Sequence, residues 1–128
     1  MRLLLDTQAF LWFSIDAPEL SQRAKSLVED PDNERFLSIA SVWELGIKSS
    51  LGKLQLPGPL PAFINQQLII NMTSLLPIEI DDIAHVVKLP RHHRDPFDRL
   101  LIAQAVTRQL IVVSSDRQYD AYGVRREW

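Results

Sequence analysis

The stretch Arg-Asp-Pro-Phe-Asp at 94–98 sets two carboxylates around a proline, immediately before an apolar run. Such a pair can start a helix, because Asp is a favoured N-cap and Pro is pre-set for the first turn. It can equally hold a carboxylate at a helix N-terminus, where it is available to a cation. Three more acids stand at comparable positions: Asp6 after Leu3-Leu4-Leu5, Glu44 three residues after Ser41, and Asp116 after Ile-Val-Val-Ser-Ser. Each has a local explanation. Asp6 and Asp116 suit helix caps, Ser41-x-x-Glu44 fits a capping box, and Asp95 with Pro96 and Asp98 suits a helix start. Taken together, four acids in one place need more than caps. A cap contributes about 1 kcal/mol, whereas two unit charges ~4 Å apart at an effective dielectric near 20 repel by about 4 kcal/mol. Convergent carboxylates therefore imply raised pKa values or a bound cation. An all-oxygen set favours a hard ion, Mg²⁺ or Mn²⁺. A hard ion among carboxylates suits phosphate chemistry: water activation, phosphate bridging and leaving-oxygen stabilisation.

Whether the acids converge depends on the elements that carry them. Apolar runs at 2–6, 35–40, 74–80 and 110–116 read as strands, with 124–128 as a last one. Between them fall helical patterns: 7–13, a helix beginning at Pro18, one opening at Ser41 and ending near Gly52, one from Pro61 to about Asn71, one over 81–89, and the clearest at 95–109. A helical turn is expected at 117–123. Strands that are continuously apolar and alternate with helices predict an α/β fold, a parallel sheet covered on both faces. In such a sheet, strand C-termini and the following helix N-termini share one edge, where ligands bind. Asp6, Glu44 (first turn of its helix), Asp98 and Asp116 all fall on that edge. The sequence specifies the edge but not the distances.

Composition sets the bounds. The chain has 128 residues, 46% apolar and 23% charged, which predicts a single domain over 1–128. With no cysteine, thiolate zinc sites and cysteine nucleophiles drop out, and a reducing, cytoplasmic setting is expected. Asp6 breaks the N-terminal apolar run, which argues against a signal peptide, and no run reaches the ~18 apolar residues of a membrane span. The net charge of −2 does not announce nucleic acid, although residues 91–128 carry seven arginines against five acids.

Four blocks, Leu-Leu-Leu-Asp-Thr (3–7), Ser-Val-Trp-Glu-Leu-Gly-Ile-Lys (41–48), Arg-Asp-Pro-Phe-Asp-Arg-Leu-Leu-Ile-Ala-Gln-Ala (94–105) and Val-Val-Ser-Ser-Asp-Arg-Gln-Tyr-Asp-Ala-Tyr-Gly-Val (112–124), together resemble the PIN-domain ribonucleases. The likeness is greatest to the small VapC-type toxins of toxin–antitoxin pairs. The resemblance implies a PIN-like three-layer sandwich with four to five parallel strands. It implies Mg²⁺- or Mn²⁺-dependent cleavage of RNA to 5′-phosphate and 3′-hydroxyl ends. Asp6, Glu44 and Asp98 match the family's most regular acids, and Asp116 matches the more variable fourth. An antitoxin partner and a homodimer are also implied.

Around these positions, Asp95 is expected to be a cap. Thr7 and Ser115, beside matched acids, can bond a ligand carboxylate or local backbone. Arg99 can meet RNA phosphate or pair with an acid, and Lys48 and Lys53 are further phosphate candidates. His85, His92 and His93 are expected to stay out of the metal set, the adjacency of the last two being a poor arrangement for one ion. Trp12, Phe13 and Trp43 are read as core or subunit contacts. Two rivals remain open. One is a receiver-like domain phosphorylated on aspartate, disfavoured by the lack of an acid pair after the first strand. The other is a non-catalytic binding module whose acids merely cap.

Overall fold

A computed structural model describes Met1–Trp128. Five parallel strands form one sheet in the order β3-β2-β1-β4-β5. They are β1 Arg2–Leu5, β2 Glu34–Ser38, β3 Thr73–Leu76, β4 Ile111–Val113 and β5 Arg126–Glu127. The helices are α1 Thr7–Ser14, α2 Gln22–Glu29, α3 Ile39–Ser50, α4 Leu60–Ile70, α5 Ile80–Lys88 and α6 Pro96–Arg108, with a short 3₁₀ helix at Arg117–Tyr122.

The continuous apolar strands are explained by two cores. Along β1, side chains alternate between faces. Leu3 and Leu5 enter a core with Phe10, Val28, Leu45 and Phe63, while Leu4 enters a second with Leu101, Ile102, Val112 and Tyr119. Both faces are covered, as a parallel sheet requires. Chain order reverses between β1 and β4: β2 and β3 extend to one side of β1, β4 and β5 to the other. A crevice opens at such a switch point, outside the strands' C-terminal ends. Asp6 follows β1 and Asp116 lies three residues beyond β4, so both stand at that crevice.

Several boundaries differ from expectation, among them β4, which ends at Val113 rather than running on to Asp116, and β5, which is only Arg126–Glu127. Helix α3 starts at Ile39, capped by Ser38, whose hydroxyl accepts from the Ala40 amide at 3.1 Å. Ser41 is thus inside the helix and there is no Ser41–Glu44 capping box. Glu44 falls in the second turn. Strand β3 ends at Leu76, because Pro77 has no N–H for a ladder. Helix α2 begins after its cap Ser21 rather than at Pro18, the Ser21 hydroxyl accepting from the Ala24 amide at 3.0 Å. No helix is long and apolar enough to cross a membrane.

Candidate metal centre

Each acid is placed by an element whose local sequence explains the placement. The amide of Asp6 extends the β1–β4 ladder to the Val113 carbonyl at 3.1 Å. Its Oδ1 then accepts from the Ala9 amide at 2.7 Å, capping α1. One residue does both jobs because β1 turns directly into α1. Asp95 caps α6, its Oδ1 accepting from Phe97 at 2.9 Å, and Pro96 fills the first helical position. Asp98 is thereby fixed in the first turn. Asp116 caps the 3₁₀ helix through the Gln118 amide at 2.9 Å, and its own amide donates to the buried Ser114 hydroxyl at 3.0 Å. The capping roles are real for Asp6, Asp95 and Asp116, but they do not neutralise the charges.

The chain brings Asp98 and Asp116 together around a group that sequence reasoning kept out. His93 Nε2 lies 2.9 Å from Asp116 Oδ2 and 3.1 Å from Asp98 Oδ2. Donor atoms of His93, Asp98 and Asp116 all lie within 4.8 Å of one another. Asp98 Oδ1 accepts from the Tyr119 hydroxyl at 2.9 Å. Asp6 and Glu44 stand outside that tightest group, but their charges reach it: Asp6 feels Glu44 and Asp116, and Asp98 feels Asp6.

Burial is the main electrostatic fact. It raises the Asp6 carboxyl to about 6, opposed by the Ser114 hydroxyl and Ala9 amide and reinforced by the charges of Glu44 and Asp116. Asp98 is likewise raised to about 6, first by burial. The Tyr119 hydroxyl lowers it, Asp95 and Asp6 raise it, and His93 lowers it. Burial, then the charges of Asp98 and Asp6, push the Tyr119 phenol well above its usual value, so it remains a donor. Glu44, also buried, has Lys48 Nζ at 3.0 Å. No lysine or arginine pairs with Asp6, Asp98 or Asp116. Buried oxygens with uncompensated charge, on elements that do not need that charge, fit a hard divalent cation.

The flanking positions divide. Thr7 Oγ1 donates to Ser41 Oγ at 3.0 Å, tying α1 to α3. Thr7, Lys48 and Lys53 share a hollow of about 300 Å³. Ser115 is exposed, and it is Ser114 beside it that is buried and bonded. Arg99 does neither job expected of it. It is buried, and its guanidinium donates to the carbonyls of Val86 (2.9 Å), Pro90 (2.8 Å) and Leu89 (3.3 Å), closing the C-terminal end of α5. Trp12 packs on Trp128 with ring centres 5.9 Å apart, while Trp43 is exposed with its ring 5.3 Å from Phe97.

His85 and His92 lie outside the acid cluster, His92 packing edge-on to Tyr122. His93 lies within it: two neighbouring side chains diverge, and only one enters the cluster. Tyr119, Ser114 and Ser41 were also missed. Their only signal is proximity in sequence to Asp116 and Glu44.

Comparison with known proteins agrees with the geometry. Residues 3–124 match the family model of the PIN domain. No curated protein matches the chain in sequence. Among solved structures, a chain of VapBC2 from Rickettsia felis, bound to a DNA fragment from their promoter, superposes with a TM-score of 0.72 at 12% identity, covering 99% of this chain and 98% of that one. DNA-bound VapBC from Salmonella typhimurium gives 0.69 at 21% identity, covering 99% and 97%. VapBC-5 from Mycobacterium tuberculosis, a member of the VapBC family of toxin–antitoxin systems, gives 0.59 at 20%, covering 98% and 95%. With the family model matched over nearly its whole length, and the fold shared end to end, this chain belongs to the PIN domain family.

Proposed function

We propose that the chain is a Mg²⁺- or Mn²⁺-dependent endoribonuclease and the toxin of a toxin–antitoxin pair. The observation that carries this reading is the acid cluster at the β1/β4 switch point. Asp98 and Asp116 each place an oxygen within 3.1 Å of His93 Nε2, and Asp6 and Asp98 are held near pKa 6 by burial with no lysine or arginine paired to them. Asp6, Asp98 and Asp116, with Glu44 directly or through water, would hold one or two ions. A bound ion would supply a water of lowered pKa and a Lewis acid for a phosphate oxygen.

The chain's own groups do the rest. Tyr119 and the Gln118 amide each fix one oxygen of Asp98 and Asp116, so the carboxylates face the crevice in one orientation. Asp116 has the most exposed side chain of the cluster and is placed to accept the proton of the attacking water at a carboxylate oxygen. Lys48 and Lys53, with Thr7, line a hollow that suits a substrate phosphate, and Ser115, exposed next to Asp116 in the chain, is a further candidate contact. In-line attack by water on phosphorus from the side opposite the 3′-oxygen breaks the P–O3′ bond; the 3′-oxygen leaves and takes up a proton, so the ends are a 5′-phosphate and a 3′-hydroxyl.

The likeness to VapBC assemblies supports a cognate antitoxin as partner. An exposed apolar stripe on α5, Ile80, Ile83 and Val87, supports a homodimer. A chain that sediments as a monomer at micromolar concentration would contradict the dimer. An RNA target implies a cytoplasmic location, which cell fractionation checks. Asp6→Asn and Asp98→Asn proteins, shown to be folded, should lose Mn²⁺-supported cleavage of a labelled RNA by at least ~100-fold. Cleavage at the parental rate would end the proposal.

A further inference from the structure

We infer that His93 is a positioning residue, not a ligand: its ring donates Nε2–H to Asp116, with Asp98 Oδ2 seated alongside, and holds the pair of carboxylates ready for the ion. The inference rests on the metal-dependent reading above and concerns a residue outside the four acids.

The tautomer decides between ligand and donor. The Asp95 amide donates to His93 Nδ1 at 3.1 Å. A nitrogen that accepts an N–H carries no proton, so in the neutral ring the proton is on Nε2. That nitrogen bonds to Asp116 Oδ2, an acceptor, at 2.9 Å and lies 3.1 Å from Asp98 Oδ2. To bind an ion through Nε2, a neutral ring would have to carry its proton on Nδ1, pointing at the Asp95 N–H. The backbone of the α6 cap therefore forbids the ligand form in this orientation.

The ring is held on every side. Its backbone amide donates to the Tyr122 hydroxyl at 2.7 Å, and that hydroxyl donates to the Pro90 carbonyl at 2.8 Å. Its face meets Tyr119 edge-on, with centroids 6.4 Å apart. The residue is 7% exposed. Asp116 then accepts one bond per oxygen, from Gln118 and His93, and Asp98 Oδ1 accepts from Tyr119. Asp98 Oδ2, 3.1 Å from His93 Nε2 without a hydrogen bond, and a lone pair on each of the other oxygens stay open for an ion. Outer hydrogen bonds of this kind orient ligands, and their loss weakens metal binding about 10–100-fold.

The test uses the full chain labelled with ¹⁵N-histidine, stripped of metal, in three forms: parent, His93→Ala and His93→Gln. Long-range ¹H–¹⁵N correlation at pH 8 should show the Nε2–H tautomer for His93. An Nδ1–H tautomer would overturn the inference whether or not metal binds. Mn²⁺ affinity should fall about 10–100-fold in His93→Ala. It should recover largely in His93→Gln, whose amide can still donate, with circular dichroism confirming the fold of both. Mn²⁺ spin-resonance of the parent should show no directly bonded ¹⁵N, and such a bond would make His93 a ligand and overturn the proposal. If the parent binds Mn²⁺ and His93→Ala binds it equally well, this inference alone falls. If the parent binds no Mn²⁺, the metal reading falls and takes this inference with it.

Discussion

Replacing Asp6 by Asn should make the metal-free protein more stable. Asp6 is buried, and its carboxyl is raised from 3.8 to about 6. A displacement of that size is worth about 3 kcal/mol at ~1.4 kcal/mol per pH unit. The folded carboxyl holds its proton more tightly than the unfolded one. Between pH 3.8 and about 6 the folded chain therefore carries the extra proton, and stability falls as pH rises through that window. Above pH 6 the full penalty applies. Below 3.8 it is absent, and at pH 5 roughly half remains. Asn avoids the penalty and remains a good cap for the Ala9 amide. A weaker bond to the Ser114 hydroxyl takes back about 1 kcal/mol. The net expectation is a gain of about 2 kcal/mol at pH 7.5, clearly smaller at pH 5. Urea unfolding in EDTA, followed by tryptophan fluorescence at both pH values, measures it. In Mn²⁺ the parent gains about 2.7 kcal/mol at 100 times its Kd, so the order should reverse, the variant, short of one ligand, gaining less than about 0.7 kcal/mol. Destabilisation of Asp6→Asn at pH 7.5 without metal, or an equal shift at both pH values, would show that Asp6 is an ordinary cap with no unbalanced charge.

Other expectations follow from single contacts. Tyr119→Phe removes the bond that lowers Asp98, so the Asp98 carboxyl should titrate above about 6 in ¹³C NMR of the metal-free chain. Titration at or below the parental value would refute that role. Arg99→Met should leave the Val86, Leu89 and Pro90 carbonyls without their donor. Loss of about 3 kcal/mol in denaturant unfolding is expected, with the RNA affinity of the folded protein unchanged. Weakened RNA binding without loss of stability would restore Arg99 to the surface.

What the sequence could and could not convey follows from the range of the forces involved. Helix α6 is legible because Asp95-Pro96 starts it within four residues of the apolar run. Strands β1 and β4 are legible because burial on both faces removes alternation. The shared edge of Asp6, Asp98 and Asp116 follows from parallel topology alone. Read from sequence, α3 starts one turn late, at Ser41, because Ser38 is an equally good cap and only the run of β2 selects it. Arg99 could not be assigned from its neighbours, because its carbonyl partners come from the end of α5 and the loop after it. His93 depended on a backbone closure over two residues and on a meeting with Asp116, 23 positions away. Contacts at that separation leave no periodic trace.

The most direct measurement is of product ends. Metal-stripped protein is incubated with a labelled single-stranded RNA in Mn²⁺, in Mg²⁺ or in EDTA, and the termini are identified by mass. The four-acid centre predicts cutting only with an ion present, giving 5′-phosphate and 3′-hydroxyl ends. Cutting in EDTA would mean that no ion is needed, and 2′,3′-cyclic phosphate products in Mn²⁺ that the RNA's own 2′-hydroxyl attacks; either would mean that Asp6, Glu44, Asp98 and Asp116 are not a metal centre that cuts.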